Sequence, residues 1–437
     1  MEVPTVVKHR RAHAVLFALL AGCHPTPRAQ APSSPPSAQG PLDLDAGAAE
    51  GAPGATRDPP APTLTALSPA ELAALRPLLD RGPALLVRDA DRGMEARITL
   101  VNRARAPVAT VRRVITTPDD YLTFMPTLRS VEVLSRHNNR TAFRFHVAAP
   151  VFNVTALSAM TELGERRVDV SIVESETGPG GSRWDLTPDG PDATLVQLTT
   201  WGDPSRGHWM LRQLARRSPA AIAGMNVSAD TVLALGVSRQ AERLSGSSAP
   251  VRPSEPIGPQ GPLAPPPAGP WRALTHDATL LSLSLTPDGA IQQVTVAAWT
   301  RASPDAVLAR LRDVPGHPRV WGSIQSIEVV PGTPAGEVRY RSVVQNPLSR
   351  LEGEQRLVER DGAVWIEGTG GDFSGADHRY DVTPEPDGGC VVAMTGGADY
   401  NRAGWLTRAL MARDPWLVAG FAGSWKIVWL RHLLRGL

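Results

Sequence analysis

The chain has 437 residues, more than one ordinary hydrophobic core organises and enough for two domains with connectors. Hydrophobic residues make up 42% and charged residues 20%, the balance of a globular protein. The net charge is +2 and no long Lys/Arg run follows residue 12, which argues against a nucleic-acid partner.

Residues 1–22 read as an export signal and not as part of the fold. Lys8, Arg10 and Arg11 precede the short apolar run Ala14–Leu20, which is too short to span a bilayer. The run ends in Leu20-Ala21-Gly22-Cys23, which resembles a bacterial lipobox. Cys23 is then the lipidated N-terminus, and several acyl chains anchor a protein to a membrane stably. An ordinary cleaved signal with a chance cysteine is the alternative. His24 stands where a retention Asp would, which favours the outer membrane or the periplasmic face of the bacterial cell envelope. The other cysteine, Cys390, sits in a strand-like apolar run and reads as a buried structural thiol. No cysteine metal site is expected.

Residues 23–63 are rich in Pro and Ala and read as a disordered tether. A second Pro-rich stretch, 245–270, separates compact regions 64–244 and 271–437. These regions repeat each other. Trp209 and Trp405 differ by 405 − 209 = 196 positions, and the same offset relates Arg212 to Arg408 and Gly224 to Gly420. It also relates Arg183-Trp184-Asp185 to Arg379-Tyr380-Asp381, and Ser130-Val-Glu132 to Ser326-Ile-Glu328.

Within each copy, periodicity predicts a strand, short helices, several antiparallel strands and a long C-terminal helix. Ser68 and Glu71 form a capping-box start, and Pro107 and Pro304 open further helices. Phe143, Phe145 and Val147 alternate on one strand face, and Val168–Val173, Thr194–Thr199 and Val364–Glu367 add strands. Ser218-Pro219 and Asp414-Pro415 start the long helices, with Ile222, Met225, Ala229 and Val232 on the apolar stripe of the first.

This order, with Ala106-Pro107 before a helix and Asp120-Tyr121-Leu-Thr-Phe124-Met-Pro126 before a strand, resembles the START-like superfamily. That group includes polyketide cyclase/dehydrase-type and lipid-transfer proteins. Copy two keeps the aromatic segment more loosely, as His317-Pro-Arg-Val-Trp321. The resemblance implies an α+β chain of two tandem helix-grip domains, each a curved antiparallel sheet around a long C-terminal helix. It also implies an apolar ligand (a lipid, quinone or polyketide-like molecule) held in the cavity between them.

Cavity candidates are Tyr121, Phe124, Trp184, Trp201, Trp209 and Met225 in copy one. In copy two they are Trp321, Trp365, Tyr380, Trp405, Phe421 and Trp425. Ala229 and Trp425 occupy equivalent places, so copy one is expected to have the roomier cavity. The Arg-aromatic-Asp triplets read as surface ion pairs flanking an inward ring. Arg206, Arg212, Arg402 and Arg408 read as outer helix residues. The ten histidines fall at no metal-ligand spacing and the repeat does not preserve them: His378 stands opposite Ser182. No cofactor, metal or catalytic signature is visible. The expectation is an envelope-anchored binder or carrier of an apolar molecule. A cyclase or aromatase acting on a polyketide-like substrate, and an interaction module with closed cavities, are the alternatives.

Overall fold

The computed structural model describes residues 64–89, 96–148, 153–217, 219–246, 263–286, 291–345, 350–386, 388–397 and 415–437. The signal, Cys23 and the tether lie outside them.

Copy one begins with helix α1 (Pro69–Leu79), where Ser68 and Glu71 close a capping box. Strands β1 (Ala84–Asp89) and β2 (Ala96–Ala104) form a hairpin. Helix α2 (Val108–Thr116) follows, then a single turn, Tyr121–Phe124. A meander of six strands comes next: β3 (Leu128–His137), β4 (Arg140–Ala148), β5 (Asn153–Glu162), β6 (Arg167–Ser175), β7 (Gly180–Pro188) and β8 (Thr194–Gly202). Helix α3 (Trp209–Arg217) leads into the long helix α4 (Pro219–Leu244).

Copy two repeats the plan. It has β9 (Thr279–Leu285), β10 (Ile291–Thr300), α5 (Pro304–Arg312) and β11 (Ile324–Val329). It continues with β12 (Glu337–Gln345), β13 (Arg350–Arg360), β14 (Ala363–Gly371), β15 (Asp377–Pro384) and β16 (Cys390–Gly397), and ends in α6 (Pro415–Leu434). Both long helices start at the proline that the sequence places there.

The strands join in one antiparallel sheet, in the order β11-β12-β13-β14-β15-β16-β10-β9-β1-β2-β8-β7-β6-β5-β4-β3. The halves meet where β1 pairs with β9, an opening strand of each copy that the sequence reading did not single out. Its register is centred on Leu85 opposite Leu281, two residues at the 196-position offset. The long helices meet at the same kind of point. The hydroxyls of Ser228 and Ser424, again equivalent residues, hydrogen-bond at 2.8 Å. Gly224 lies against Ser424, and its counterpart Gly420 against Ser228. Equivalent residues paired with one another define a pseudo-two-fold axis, the symmetry of an isologous dimer built into one chain.

The inward face of the sheet carries the main core, with Ile98, Leu100, Val196 and Leu198 of copy one and Val294, Val296, Val392 and Met394 of copy two. A second core lies on the outward face across the junction. There α1 and the 3₁₀ turn Pro270–His276 bring Leu75, Leu78 and Trp271 onto Leu86, Leu280, Ala297 and Ala393. The junction strands are therefore buried on both faces, which fits the apolar run Ala84–Val87 of β1. The pairs Thr99–Thr199, at 3.3 Å, and Thr295–Thr395, at 3.0 Å, are equivalent bridges within each half.

The glycines at the helix crossing have no room for a side chain. A Cβ at Gly420 would stand 2.5 Å from the Ser228 Cα. Gly420→Val is expected to destabilise the chain by about 1–3 kcal/mol through overpacking. Gly322→Ala, whose Cβ meets nothing within 4 Å, is expected to leave the unfolding midpoint unchanged in the same denaturant titration.

Candidate functional site

Each half encloses an interior between its long helix and the inward face of its strands. In copy one Trp184, Leu186, Leu198 and Thr200 share that face, by the pairing of β7 with β8. The turn Tyr121–Phe124 brings two rings against the β4 aromatics. Tyr121 meets Phe124 at 5.8 Å and Phe143 at 6.2 Å, both edge-on, and Phe143 meets Phe145 at 6.1 Å. The Tyr121 hydroxyl donates to the Ile115 carbonyl, and burial raises its pKa. Phe124 reaches α4 at Gly236. Val131, Val133, Phe145 and Val170 pack on this core yet stay partly accessible. These side chains form the partly accessible margin of the apolar wall.

Among the described residues a carboxyl enters this interior. Asp230, on α4, is 6% exposed and accepts a 2.5 Å hydrogen bond from the Thr200 hydroxyl. Burial pushes its carboxyl up to about 7, against the opposing pull of the Thr200 bond.

Copy two fills the corresponding space differently. Trp321 stacks on Trp429 at 4.7 Å, Trp425 leans on Trp429 at 5.3 Å, and the Trp321 indole donates to the Trp429 carbonyl at 2.9 Å. The offset places Met125, Ala229 and Leu233 at these positions in copy one. Buried His317 is held edge-on to Trp321, with Nε2 2.9 Å from the Leu311 carbonyl oxygen, and burial lowers its pKa. The counterpart of Asp230 is Lys426, 3% exposed, and burial pulls its amine down to about 8. The counterpart of Thr200 is Gly396, across from His378 on β15. Burial, reinforced by the Lys426 charge, takes His378 down to about 3, so the imidazole is neutral.

The structure sorts the sequence-predicted residues. Tyr121, Phe124, Trp184, Trp321, Tyr380 and Trp425 belong to the inward core or pack on it, and Met225 is half-buried on α4. Trp201 and Trp365 are on the other face. Trp201 lies over Gly181, and Trp365 lies beneath the Arg360 guanidinium, 4.1 Å from its ring centre. Trp209 is 57% exposed on α3. These three do not join the interior, because strand parity and helix facing are set by neighbours that the local sequence does not reveal. Trp405, Arg402, Arg408 and the side chain of Phe421 lie outside the described residues. Arg379 and Asp381 pair within their strand at 2.7 Å, beside inward Tyr380. In copy one the pairs cross strands instead, Arg183 to Asp169 at 2.7 Å and Arg167 to Asp185 at 3.0 Å. Asp230, Lys426 and His378 were not among the candidates. For Asp230 and Lys426 the available signal was an ionisable residue inside an otherwise apolar helical stripe, and for His378 it was the departure from Ser182 in the repeat.

Among the described residues no three His, Cys, Asp or Glu side chains converge as metal ligands. None of their helices is long and apolar enough to cross a membrane. An open surface cleft of about 550 Å³ at the β5–β6 turn, lined by Leu163, Arg166 and Arg167 among others, lies apart from the aromatic wall.

Residues 105–229 match the family described as polyketide cyclase / dehydrase and lipid transport. That match lies within copy one, and the repeat with the same helix-over-sheet order in copy two makes the chain an α+β protein of two tandem helix-over-sheet units, similar to the START-like helix grip. Among solved structures the chain is similar to the di-domain ARO/CYC StfQ from the steffimycin biosynthetic pathway, at 11% identity over 76% of this chain and 97% of that one, with a TM-score of 0.26. It is similar to the di-domain ARO/CYC BexL from the BE-7585A biosynthetic pathway, at 13% identity over 78% and 99%, TM-score 0.27. It is also similar to the protein TTHA0849 from Thermus thermophilus, at 21% identity over 35% and 99%, TM-score 0.30. TM-scores this low establish no shared arrangement of the halves. No curated protein matches the chain.

Asp230 and Lys426 give opposite pH signatures. Asp230 binds its proton more tightly folded than unfolded, so its contribution to stability falls as pH rises from about 4 to 7. Lys426 binds its proton more weakly folded, so its contribution rises from about pH 8 to 10.5. Denaturation midpoints across pH are expected to lose the falling limb in Asp230→Asn and the rising limb in Lys426→Met, each up to about 3–4 kcal/mol.

Proposed function

We propose that this protein binds and carries an apolar small molecule in its helix-grip interiors. The supporting observation is the inward wall of copy one, where Tyr121, Phe124, Phe143 and Phe145 pack together while neighbouring apolar side chains stay partly accessible. Water against such a wall is unfavourable, and an apolar body of matching size displaces it. Copy one is the roomier site, because copy two packs three indoles together where copy one has Met125, Ala229 and Leu233. The signal and Cys23 support tethering at a bacterial envelope, with the ligand exchanged at or near the membrane.

A second reading is favoured by one group. Asp230 is a carboxyl poised near neutral pH in an aromatic-lined interior, the condition of a general acid or base for a cyclisation. In that case Asp230→Asn abolishes turnover of a polyketide-like substrate and leaves its binding in place. Under the carrier reading no turnover is seen with either form.

Titration with the fluorescent probe N-phenyl-1-naphthylamine tests the carrier reading. The chain is expected to take up the probe, and Ala229→Trp to weaken uptake by about tenfold, since one indole occupies about 150–250 Å² of the wall. An undiminished signal in Ala229→Trp contradicts placement in copy one, and absence of binding contradicts the carrier reading. Cys23→Ser is expected to move the chain from the membrane to the soluble fraction of its host.

A further inference from the structure

The two copies place groups of opposite charge at one point of the fold. Asp230 and Lys426 are equivalent positions on the long helices, each two residues beyond the serines that meet on the pseudo-two-fold axis. Two residues turn a helix by about 200°, so both side chains point away from the crossing and into their own halves. Asp230 finds Thr200 there. Lys426 finds a different environment.

The Lys426 chain passes Gly396 and His378 closely. A Cβ at Gly396 would stand 2.7 Å from Lys426 Cε and 2.6 Å from His378 Nδ1. Gly396 therefore holds space that Thr200 fills in copy one, and the lysine stem and the imidazole share it. Tyr380, two residues beyond His378 on β15, faces the same interior and is 1% exposed. The buried Nδ1 of His378 and the buried hydroxyl of Tyr380 have no hydrogen-bond partner among the described residues. No hydrogen bond or ion pair of the Lys426 amine is found among the described residues either. A buried ammonium beside the unsatisfied His378 Nδ1 is costly unless something anionic completes it. His378 is partly accessible as a residue, while its Nδ1, Lys426 and Tyr380 are buried.

We propose that copy two holds its ligand by a carboxylate head group seated against Lys426, His378 and Tyr380, with the apolar body running toward Trp425 and Trp429. The proposal rests on the carrier reading above. It names a carboxylate and not a phosphate because the cluster supplies one positive charge. Lys426 is largely charged at neutral pH, while His378 and Tyr380 are neutral donors. A monoanion is balanced by that set, and a dianion leaves a buried charge uncompensated. In copy one the same place holds Asp230, which repels a carboxylate when ionised. Head-group preference therefore distinguishes the halves.

Isothermal titration of the full chain at pH 7 with laurate and with 1-dodecanol, the same chain length without the charge, tests this. Laurate is expected to occupy one class of site at least about tenfold more tightly than dodecanol, equivalent to about 1.4 kcal/mol. Lys426→Met, of similar volume, is expected to bring laurate to the level of dodecanol without weakening dodecanol. Thermal melting of the variant shows whether it folds, and the comparison of the two ligands on the unaltered chain needs no variant. Equal affinity for laurate and dodecanol on the unaltered chain overturns the head-group site and leaves the carrier reading standing. So does laurate binding that survives Lys426→Met. Binding of neither ligand overturns both.

Discussion

The close crossing of the two long helices is the constraint on which the rest of the structure depends. Gly224 and Gly420 bring each helix onto the serine of the other, and Ser228 and Ser424 bond across the axis. Small residues at such a crossing let helix surfaces meet without intervening side chains, and the serine bond adds about 1 kcal/mol. With that face occupied, the opposite face of each helix must turn to its own strands. The same axis passes through Leu85 and Leu281, where β1 and β9 join the halves into one sheet. Two strand edges that would otherwise template aggregation are consumed in the process. Arg431 of α6 reaches the Thr279 hydroxyl of β9, tying helix to junction strand.

A symmetric frame with asymmetric contents is the physical basis of the functional reading. Features shared at the 196-position offset are architectural: the threonine bridges, the helix starts, the glycine-serine crossing. Differences concentrate inside. Asp230 against Lys426, Thr200 against Gly396 and Ser182 against His378 lie on inward faces, and Ala229, exposed on α4, stands where copy two has half-buried Trp425. Replacing a buried charge by an apolar residue is usually neutral or stabilising, so two buried ionisable residues are poorly explained by folding alone. Binding or chemistry accounts for them better.

Much of the scaffold was legible in the sequence because it rests on local chemistry repeated twice. Ser68 and Glu71 cap α1, Pro219 and Pro415 open the long helices, and Phe143 and Phe145 alternate inward as their spacing requires. What lay beyond it depends on contacts between distant segments. The β1–β9 junction joins two short apolar runs whose pairing no local pattern announces. Trp201 and Trp365 alternate as strand residues should, yet the face they take is fixed by the cover that α1, Arg360 and Arg379 provide or withhold. The pairing of Arg183 with Asp169 in preference to Asp185 follows from the β6–β7 register. Asp230 and Lys426 were visible only as ionisable residues in an apolar helix, and their meaning came from the glycine crossing that turns them inward.

An apolar molecule held in these interiors would travel with the purified chain. Native mass spectrometry of the full chain, purified without detergent, tests it most directly. The expected result is a peak heavier than the polypeptide by the mass of a small lipophilic molecule, which is released and extractable into organic solvent when the chain is denatured. A bare-chain mass that stays unchanged when the protein is incubated with total lipid extract would contradict it.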